Sequence, residues 1–375
     1  MAATVIDVSK TAGCSPATVS RVLNNSGPVS QVVRERVHRA IRQSGYVPKN
    51  PPRQPTGRQA VSTHGEVVEA IDVVLYRHEP IEPVSIGQDG MQVGPMSNIP
   101  SEAMFAPAFR LSNSFYRHIV DGVLEELRRW KSKAVLQISD DLMGKDFLAD
   151  LNTPEKRGML LIGEYSPDLG KFVDSCKMPL VLVDLLYDGL PDVVTIDNHG
   201  GIASVVEHLV SLGHREIGFV GGAGNPSDHE RRSSFTARML EAGLSVRPEW
   251  MSEGSHHIVE TTQRVTGLLK RSVRPTALVC CNDWLALGAL RAAEQCEMRV
   301  PQDLSIAGFD DVDGAMFMSP ALTTVRVPTM DLGRHAVRQL MVRCSAGEKA
   351  KSTRGCVLRV RTELVVRQST GEPPR

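Results

Sequence analysis

The residues near the amino terminus that could do chemistry are small and polar, and they end in one arginine. Ser15, Thr18 and Ser20 carry hydroxyl groups that can donate to phosphate oxygens, and Arg21 can form two parallel hydrogen bonds to the edge of a guanine. Ala17 can offer only a methyl contact. This combination is typical of a surface that reads duplex DNA, and it lacks the nucleophile and adjacent base that a catalytic centre would need.

A helix, a tight turn and a second short helix are predicted to position this polar run. Apolar residues recur at helical spacing up to Ala12, and Gly13 then supplies the left-handed conformation that ends a helix at low cost. Ser15 is a natural N-cap, and Pro16 suits the first helical position. The side chains expected to face inward are those of Val5, Val8, Val19, Val22 and Leu23. The arrangement is a helix-turn-helix with the polar run on its outer side.

A third helix and an excess of positive charge extend this prediction. The helix should begin at its cap, Ser30, and end at Gly45. Its expected buried stripe consists of Val33, Val37, Ala40 and Ile41. Residues 1–60 contain nine Lys or Arg and two acidic residues, a difference of +7, and because the chain has 43 of each sign the remainder carries −7. Attraction to phosphate is therefore expected only at this basic head, although charge alone would also fit an ordinary three-helix domain with a solvated basic face.

From about residue 67, short apolar segments alternate with amphipathic helices. This order is typical of doubly wound parallel sheets, and roughly 300 residues of it exceed what one sheet organises, so two lobes are expected. The predicted strands are 70–76, 134–138, 159–162, 180–184, 193–196, 216–220, 277–281 and 305–308. The predicted helices are 115–131, 202–212, 231–242, 261–270 and 284–295.

Composition argues against several classes of protein. Hydrophobic residues make up 41% of the 375, which suffices for a globular core, but no apolar run is long enough to cross a membrane. Seven cysteines without metal-ligand spacing indicate reduced thiols, and the amino terminus lacks the order of a secretory signal, so a cytoplasmic location is expected. No metal is expected because the sequence has no cluster of residues with metal-ligand spacing, and no cofactor is expected, since no Walker motif follows the glycine-rich loop at 221–224.

Polar side chains follow several of the predicted strands, at the edge where open parallel sheets bind ligands. Asp184 follows one strand, Asn282 and Asp283 follow another, and Asp310 follows a third. Arg231 lies shortly after the glycine-rich loop, and together these groups could line a cleft that suits a hydroxyl-rich ligand. The simpler alternatives are that Asp283 only caps the next helix and that the glycine-rich loop is a plain turn.

Two segments interrupt the pattern. Residues 50–66 form a proline-rich linker whose Pro51, Pro52 and Pro55 argue against a regular hinge helix, because a proline inside a helix costs about 3 kcal/mol. The linker should be an extended spacer, although Arg53 could reach into a narrow minor groove. Residues 79–112 form an irregular insertion with five prolines, which could cover the expected cleft or serve as a mobile tether.

These residues together resemble the LacI/GalR family of bacterial transcription regulators. The resemblance is carried by residues 15–25, 45–48, 212–215, 282–289, 308–311 and 320–325. It implies that Pro16, Ala17 and Arg21 read bases. It also implies a set of phosphate contacts, which comprises Ser15, Thr18, Ser20, Asn24, Ser30 and Tyr46.

For the remainder of the chain, the resemblance implies a core similar to periplasmic sugar-binding proteins, with an effector pocket between two lobes. The residues expected to contact the effector are Ser114, Phe115, Tyr116, Asp184, Arg231, Asn282, Asp283 and Asp310. The predicted fold is an all-α helix-turn-helix headpiece followed by an α/β two-lobed, periplasmic-binding-protein-like core with doubly wound parallel sheets.

The predicted boundaries divide the chain into four parts. The headpiece is 1–49, the linker is 50–66, the core is 67–367, and 368–375 is a flexible tail. Within the core, the first lobe takes about 67–192 and 328–343, and the second takes about 193–327 and 344–367.

The leading hypothesis is a sequence-specific, DNA-binding transcriptional regulator, expected to be a repressor. A homodimer would bind a pseudo-palindromic operator under the control of a small effector, a sugar by family preference with a purine as the other option. The alternative is a solute-binding receptor of the periplasmic type without DNA activity, against which the basic headpiece weighs. An enzyme is not expected.

Overall fold

The structure, a computed structural model, describes residues 4–23, 33, 36–37, 39–40, 70–76, 114–151, 156–222, 224–253, 257–347 and 353–374. The chain separates into two compact units, Met1–Glu66 and Val67–Arg375. The predicted linker and insertion, and with them the prediction that no hinge helix forms, lie outside the described residues. Within the described part of the chain, no helix is long and apolar enough to cross a membrane.

The amino-terminal unit begins with two short helices, α1 (Val5–Ala12) and α2 (Pro16–Leu23). The start of α1 is held by a reciprocal pair, in which the Thr4 amide donates to the Asp7 carboxylate at 2.8 Å and the Asp7 amide donates to Thr4 Oγ1 at 3.4 Å. Gly13 ends α1 with φ +60°, a left-handed conformation that glycine adopts with little strain. The predicted helix, turn and second helix are therefore confirmed.

Apolar side chains of these helices form a small core of their own. The buried members of this core are Val8, Ala12, Val19, Val22, Val37 and Ala40. Residues 33, 36, 37, 39 and 40 are helical, as the predicted third helix requires. The inward-facing stripe is confirmed for Val33, Val37 and Ala40, whereas Ile41, Ser30 and Gly45 lie outside the described residues.

In the second unit, strands and helices alternate along the chain. In chain order the described elements are β1 (Ala70–Tyr76), α3 (Ser114–Arg129), β2 (Lys133–Ser139), α4 (Lys145–Leu151), β3 (Lys156–Gly163), α5 (Leu169–Ser175), β4 (Leu180–Val183), β5 (Asp192–Ile196), α6 (Asn198–Ser211), β6 (Ile217–Val220), α7 (Pro226–Glu241), β7 (Met251–Ser252), α8 (Ile258–Leu269), β8 (Ala277–Cys280), α9 (Asp283–Gln295), β9 (Ser305–Ala307), β10 (Thr324–Arg326), α10 (Thr329–Ala346), β11 (Val357–Val360) and β12 (Glu363–Val365).

The first lobe is built on a six-stranded sheet with the order β11-β5-β4-β3-β1-β2, and all its pairings are parallel. Helix α10 crosses α3 closely over this sheet. A Cβ at Gly122 would lie 2.1 Å from the Met330 carbonyl oxygen, and a Cβ at Gly333 would lie 2.1 Å from the Ile119 carbonyl oxygen. Only glycine permits this approach of the two backbones.

The second lobe is built on a four-stranded parallel sheet with the order β7-β6-β8-β9. Helix α6 packs against α7, and α8 packs against α9. An antiparallel pair, β10 and β12, adjoins this lobe. The two parallel sheets confirm the predicted doubly wound, two-lobed fold class.

The predicted border between the lobes is wrong in one detail. The sequence predicts residues 193–196 and 357–360 in the second lobe, but β5 pairs in parallel with β4, and β11 pairs with β5. Both strands therefore belong to the first-lobe sheet, and the chain crosses between lobes after Ile196, after Arg326 and after Val360. An apolar strand has the same pattern in either sheet, so its sequence does not reveal which neighbour it pairs with.

The predicted flexible tail is also wrong for most of its length. Ser369 is fully buried, its hydroxyl donates to the Ile306 carbonyl at 2.6 Å, and the Ile306 amide donates to the Ser369 carbonyl at 2.8 Å. The Gly371 amide donates to Ser305 Oγ at 3.0 Å, and the buried His214 ring lies 2.9 Å from the Gly371 carbonyl oxygen. These bonds attach the carboxy-terminal segment to the second lobe, because each satisfies a buried polar group.

Candidate functional site

The candidate DNA-reading positions begin at the amino end of α2. Ser15 and Pro16 are exposed, and Ser15 Oγ accepts from the Thr18 amide at 3.1 Å, which confirms the predicted cap. The two hydroxyl oxygens of Ser15 and Thr18 lie 2.9 Å apart. Three more predicted positions, Ala17, Ser20 and Arg21, belong to the same helix. The remaining ones, Asn24, Ser30, Tyr46 and Arg53, lie outside the described residues.

The candidate effector site centres on Arg231 of α7, which is 7% exposed. Its Nε donates to Asn198 Oδ1 at 2.7 Å, and its Nη1 donates to the Cys281 carbonyl at 2.6 Å. Its Nη2 donates to Asp310 Oδ1 at 3.4 Å, and the guanidinium carbon lies 3.8 Å from the centre of the Phe309 ring. The side chain is thus held on three sides by hydrogen bonds and on its face by a cation–π contact.

Two predicted aspartates lie at the carboxyl ends of strands, one in each lobe. Asp184 directly follows β4 with φ +60°, and Asp310 lies shortly after β9 with φ +110°. Left-handed backbone costs energy at any residue with a Cβ, and such strain is often found at functional sites. Burial raises the pKa of Asp184 to about 7, with Arg231 opposing the rise and Asp310 adding to it.

Tyr116, in the first turn of α3, faces the same group of charges. Its ring makes an edge-on contact with Phe115, with the ring centres 5.3 Å apart. Burial raises the pKa of the Tyr116 hydroxyl well above its usual range, and the charges of Asp184, Glu164 and Asp310 raise it further. Phe115 of the first lobe and Asp310 of the second line one cavity, so the structure brings residues of both lobes together.

Asp283 is a correction to the predicted site. Its side chain is fully buried, with Oδ2 accepting from the Val312 amide at 2.9 Å and Oδ1 accepting from Thr324 Oγ1 at 2.5 Å. Its own amide donates to the Phe309 carbonyl at 2.8 Å. Asp283 therefore supports the loop that carries Asp310, and these internal bonds occupy the carboxylate that was expected to contact the effector.

The other predicted positions have simpler placements. Asn282 caps α9, because its Oδ1 accepts from the Leu285 amide at 2.9 Å. Ser114 is the first residue of α3. A cavity of about 270 Å³ adjoins the cleft. Its lining consists of Phe115, His118, residues 310–313, Arg326, Val327 and Thr329.

Sequence reasoning missed two residues of this region and the partners of a third. Glu164 directly follows β3, so the rule that found Asp184 would also have found it. Asn198 starts α6 and could be taken for an ordinary helix-start residue. Asp311 follows Asp310 at a strand end, as the sequence indicates, but it accepts from Arg326 Nε at 2.8 Å and from Arg367 Nη2 at 2.6 Å, and no local pattern signals these distant partners. Among the described residues, no group of three or more His, Cys, Asp or Glu is placed to hold a metal ion.

Comparison with known families assigns the two units. Residues 4–49 match the bacterial regulatory proteins of the lacI family, and residues 206–370 match the periplasmic binding protein-like domain. The amino-terminal unit therefore carries the DNA-binding domain of the LacI family, and the core carries a periplasmic binding protein-like domain. This combination is that of a DNA-binding transcriptional regulator with an effector-binding core, and the relatives that match the chain over its length are transcriptional repressors and not enzymes. The matched DNA-binding domain argues against the alternative of a receptor without DNA activity.

Individual relatives match the chain over nearly its full length. The HTH-type transcriptional repressor PurR of Haemophilus influenzae is 28% identical over 372 residues, which is 98% of each chain. The HTH-type transcriptional repressor CytR of Escherichia coli is 28% identical over 380 residues, which is 100% of this chain and 98% of the relative.

Solved structures agree as well. A complex of the transcriptional regulator CelR with cellobiose has a TM-score of 0.64 and 26% identity, covering 98% of this chain and 99% of that one. The Lac repressor dimer bound to operator and the anti-inducer ONPF has a TM-score of 0.63 and 22% identity, covering 99% and 100%. At 22% identity, the likeness to the Lac repressor shows a shared fold.

Proposed function

We propose that this protein is a LacI-family repressor that binds a pseudo-palindromic operator as a homodimer and responds to a sugar in its cleft. The observation that carries the proposal is that one chain contains both features. Its amino-terminal unit has an exposed helix start at Ser15 and Pro16, and its core has a cleft in which Arg231 lies near the carboxylates of Asp184 and Asp310. The relatives PurR and CytR are named as repressors, which supports the same sign of regulation here.

The chemistry of the cleft supports a hydroxyl-rich effector. The carboxylates of Asp184 and Asp310 can accept from sugar hydroxyls, and charged acceptors bind such donors strongly. The rings of Phe115 and Tyr116 offer apolar faces to a sugar ring. The neighbour CelR is described in complex with cellobiose, which fits the same class. A purine is the second candidate, because the paired aromatic rings could also stack against a base.

The predicted contacts of individual residues are part of the proposal. Ser114, Phe115, Tyr116, Asp184, Arg231, Asn282 and Asp310 would line the effector site. Pro16, Ala17 and Arg21 would read bases. We also retain the headpiece at 1–49 and the linker at 50–66 as proposed boundaries, and the cytoplasm as the proposed location.

Two exposed apolar surfaces support a homodimer. Strand β2 is the outer strand of its sheet, and the exposed fractions of Val135, Leu136 and Ile138 are 38%, 50% and 44%. In the second lobe, Met316 is 58% exposed and Phe317 is 79% exposed. An open strand edge and clustered apolar side chains are features that a partner subunit would cover. The Lac repressor neighbour is described as a dimer.

The effector half of the proposal is tested by a thermal-shift screen of the full-length chain. The compounds are D-ribose, D-glucose, cellobiose, adenosine and guanine, because a ligand that binds only the folded state raises the melting temperature. We expect a sugar to raise it for the wild type and not for Arg231→Lys, which keeps the charge but not the planar fork of donors. A shift by the purine compounds alone would replace the sugar assignment, and an equal sugar-induced shift in Arg231→Lys would contradict the proposed site.

A further inference from the structure

The arginine at the centre of the cleft is held by a buried amide. Asn198 is fully buried at the start of α6, immediately after the chain leaves the first-lobe strand β5. Its Oδ1 accepts from Arg231 Nε at 2.7 Å, and its Nδ2 donates to Glu230 Oε2 at 2.9 Å. Because a guanidinium can only donate and an ionised carboxylate can only accept, these two partners determine the orientation of the amide.

Glu230 carries the contact into the other lobe. It lies on α7, next to Arg231, and it accepts from Arg359 Nη1 at 3.1 Å and from Arg359 Nη2 at 2.7 Å. Arg359 belongs to β11 of the first-lobe sheet. Although burial opposes ionisation of Glu230, hydrogen bonds from Arg359 and Asn198 lower its pKa, so the carboxylate is charged at neutral pH. A two-bond contact of this kind constrains the relative orientation of both side chains.

These bonds form a continuous chain of four residues between the lobes. We propose that Asn198 and Glu230 are positioning residues that hold Arg231 in the cleft and link it to Arg359, so that displacement of Arg231 is transmitted to the contact between the lobes. The relay, defined as Arg231, Asn198, Glu230 and Arg359, rests on the proposed function in so far as Arg231 meets the effector.

The place of the relay in the fold explains how it could act. Asn198 lies next to one of the three points where the chain crosses between lobes, and Arg359 directly precedes the last residue before another. A ligand that moves Arg231 must either break the Asn198 bond, leaving the buried acceptor Asn198 Oδ1 unsatisfied, or pull the amide with it. A pulled amide would strain its bond to Glu230. The relay would thus couple the site to a two-state motion of the lobes.

Arginine side-chain NMR of the full-length protein tests the relay without any effector. Each Nε–H is observed after labelling with [15N]arginine, and Arg231→Lys identifies the signal of Arg231. The measured quantity is the rate at which this proton exchanges with water. In the wild type it should be strongly protected, because the donor is buried and hydrogen-bonded.

Three variants remove successive members of the relay. Asn198→Ala should raise the exchange rate of the Arg231 proton by about tenfold or more, because it removes the acceptor of the bond. Glu230→Ala and Arg359→Ala should raise this rate by about threefold or more, because each loosens the amide that accepts the bond. The matched control is Glu241→Ala, which removes a Glu–Arg pair of the same helix with Arg238 at 2.7 Å. The control should stay within about twofold of the wild type.

Coupling must also be reciprocal. Arg231→Lys should therefore shift the Nε–H signal of Arg359, whereas Glu241→Ala should not. If Asn198→Ala yields too little folded protein, Arg359→Ala carries the test, because its side chain is 38% exposed and is tolerated more easily.

Two results would overturn the proposal. An unchanged exchange rate in Asn198→Ala would show that the amide does not position Arg231. Rates in Glu230→Ala and Arg359→Ala that match the control would show that the relay ends at Asn198. Neither result depends on effector binding, so a failed thermal-shift screen with an intact relay would contradict only the proposed function.

Discussion

The amino-terminal unit and the core assemble their candidate surfaces in different ways. Six of the candidate DNA-reading positions lie within residues 15–21, on α2 and its cap. The cleft residues Tyr116, Asp184, Arg231 and Asp310 come from distant parts of the chain and both lobes, and the charges of Arg231 and Asp310 influence the pKa values of Tyr116 and Asp184. Single changes in the first surface should therefore act locally, whereas single changes in the second should disturb several groups at once.

The largest expected effect is in the core. Asp283→Ala should lower the free energy of unfolding of the core by about 2–4 kcal/mol, because it leaves the Val312 amide and the Thr324 hydroxyl buried without their acceptor. Thermal and denaturant unfolding of the full-length chain measure the change.

Asp303→Ala is the control for this effect. Asp303 pairs with Arg299 at 2.9 Å on the surface, so its loss should lower stability far less. Equal losses of unfolding free energy in the two variants would show that Asp283 does not support the loop of Asp310. The comparison between interdependent residues in the core and independent ones in the amino-terminal unit would then weaken.

An intermediate effect is expected at the DNA-reading helix. Arg21→Ala should weaken operator binding by about 1–3 kcal/mol and relax specificity at one base pair, because arginine is the side chain here that can bond twice to a guanine. Fluorescence anisotropy with a series of single-base operator variants measures both changes. The melting transition of the core should not move, which would sharpen the comparison between the units.

Arg36→Ala is the matched control, because Arg36 is an exposed arginine of the same unit. It should weaken binding to all duplexes about equally, as the loss of one charge near phosphate does. If Arg21→Ala behaves in the same way as Arg36→Ala, the reading helix has been misassigned.

The smallest effect concerns pH. Since burial raises the pKa of Asp184 to about 7, the folded state keeps a proton that the unfolded state has lost above about pH 4. The contribution of this carboxyl to stability therefore falls as pH rises toward 7 and levels off above it. Relative to Asp184→Asn, the wild type should lose about 1 kcal/mol of unfolding free energy between pH 6 and pH 8. A constant difference between the two proteins over this range would mean that Asp184 is ionised throughout.

Local chemistry was predictable from the sequence. The end of α1 at Gly13, the Ser15 cap and the bounds of β1 follow from turn conformation, capping and apolar runs, which depend on few neighbouring residues. The two-lobed class was predictable for a similar reason, because alternation of strands and helices is a property of the chain order. The positions of Asp184 and Asp310 followed from the rule on strand ends.

Long-range pairing was not predictable. Nothing in the sequence of β5 or β11 distinguishes a first-lobe from a second-lobe strand, since only the register with β4 decides. The same limit hid the buried Ser369 in an apparently polar tail, and it hid Asn198, whose partners lie more than 30 residues away. Asp283 shows the converse, because a residue at a strand end can serve the fold instead of the ligand.

The central claim is that the amino-terminal unit binds duplex DNA specifically and that an effector bound in the cleft of the core changes this binding. The most direct test selects duplexes from a random library with the full-length chain. Competition binding against random duplex then follows, at low and moderate salt, with and without the five compounds of the thermal-shift screen. We predict a pseudo-palindromic site bound at least about 10³-fold more tightly than competitor, with an affinity that one sugar changes. Equal affinity for selected and random duplexes under every condition would contradict the account.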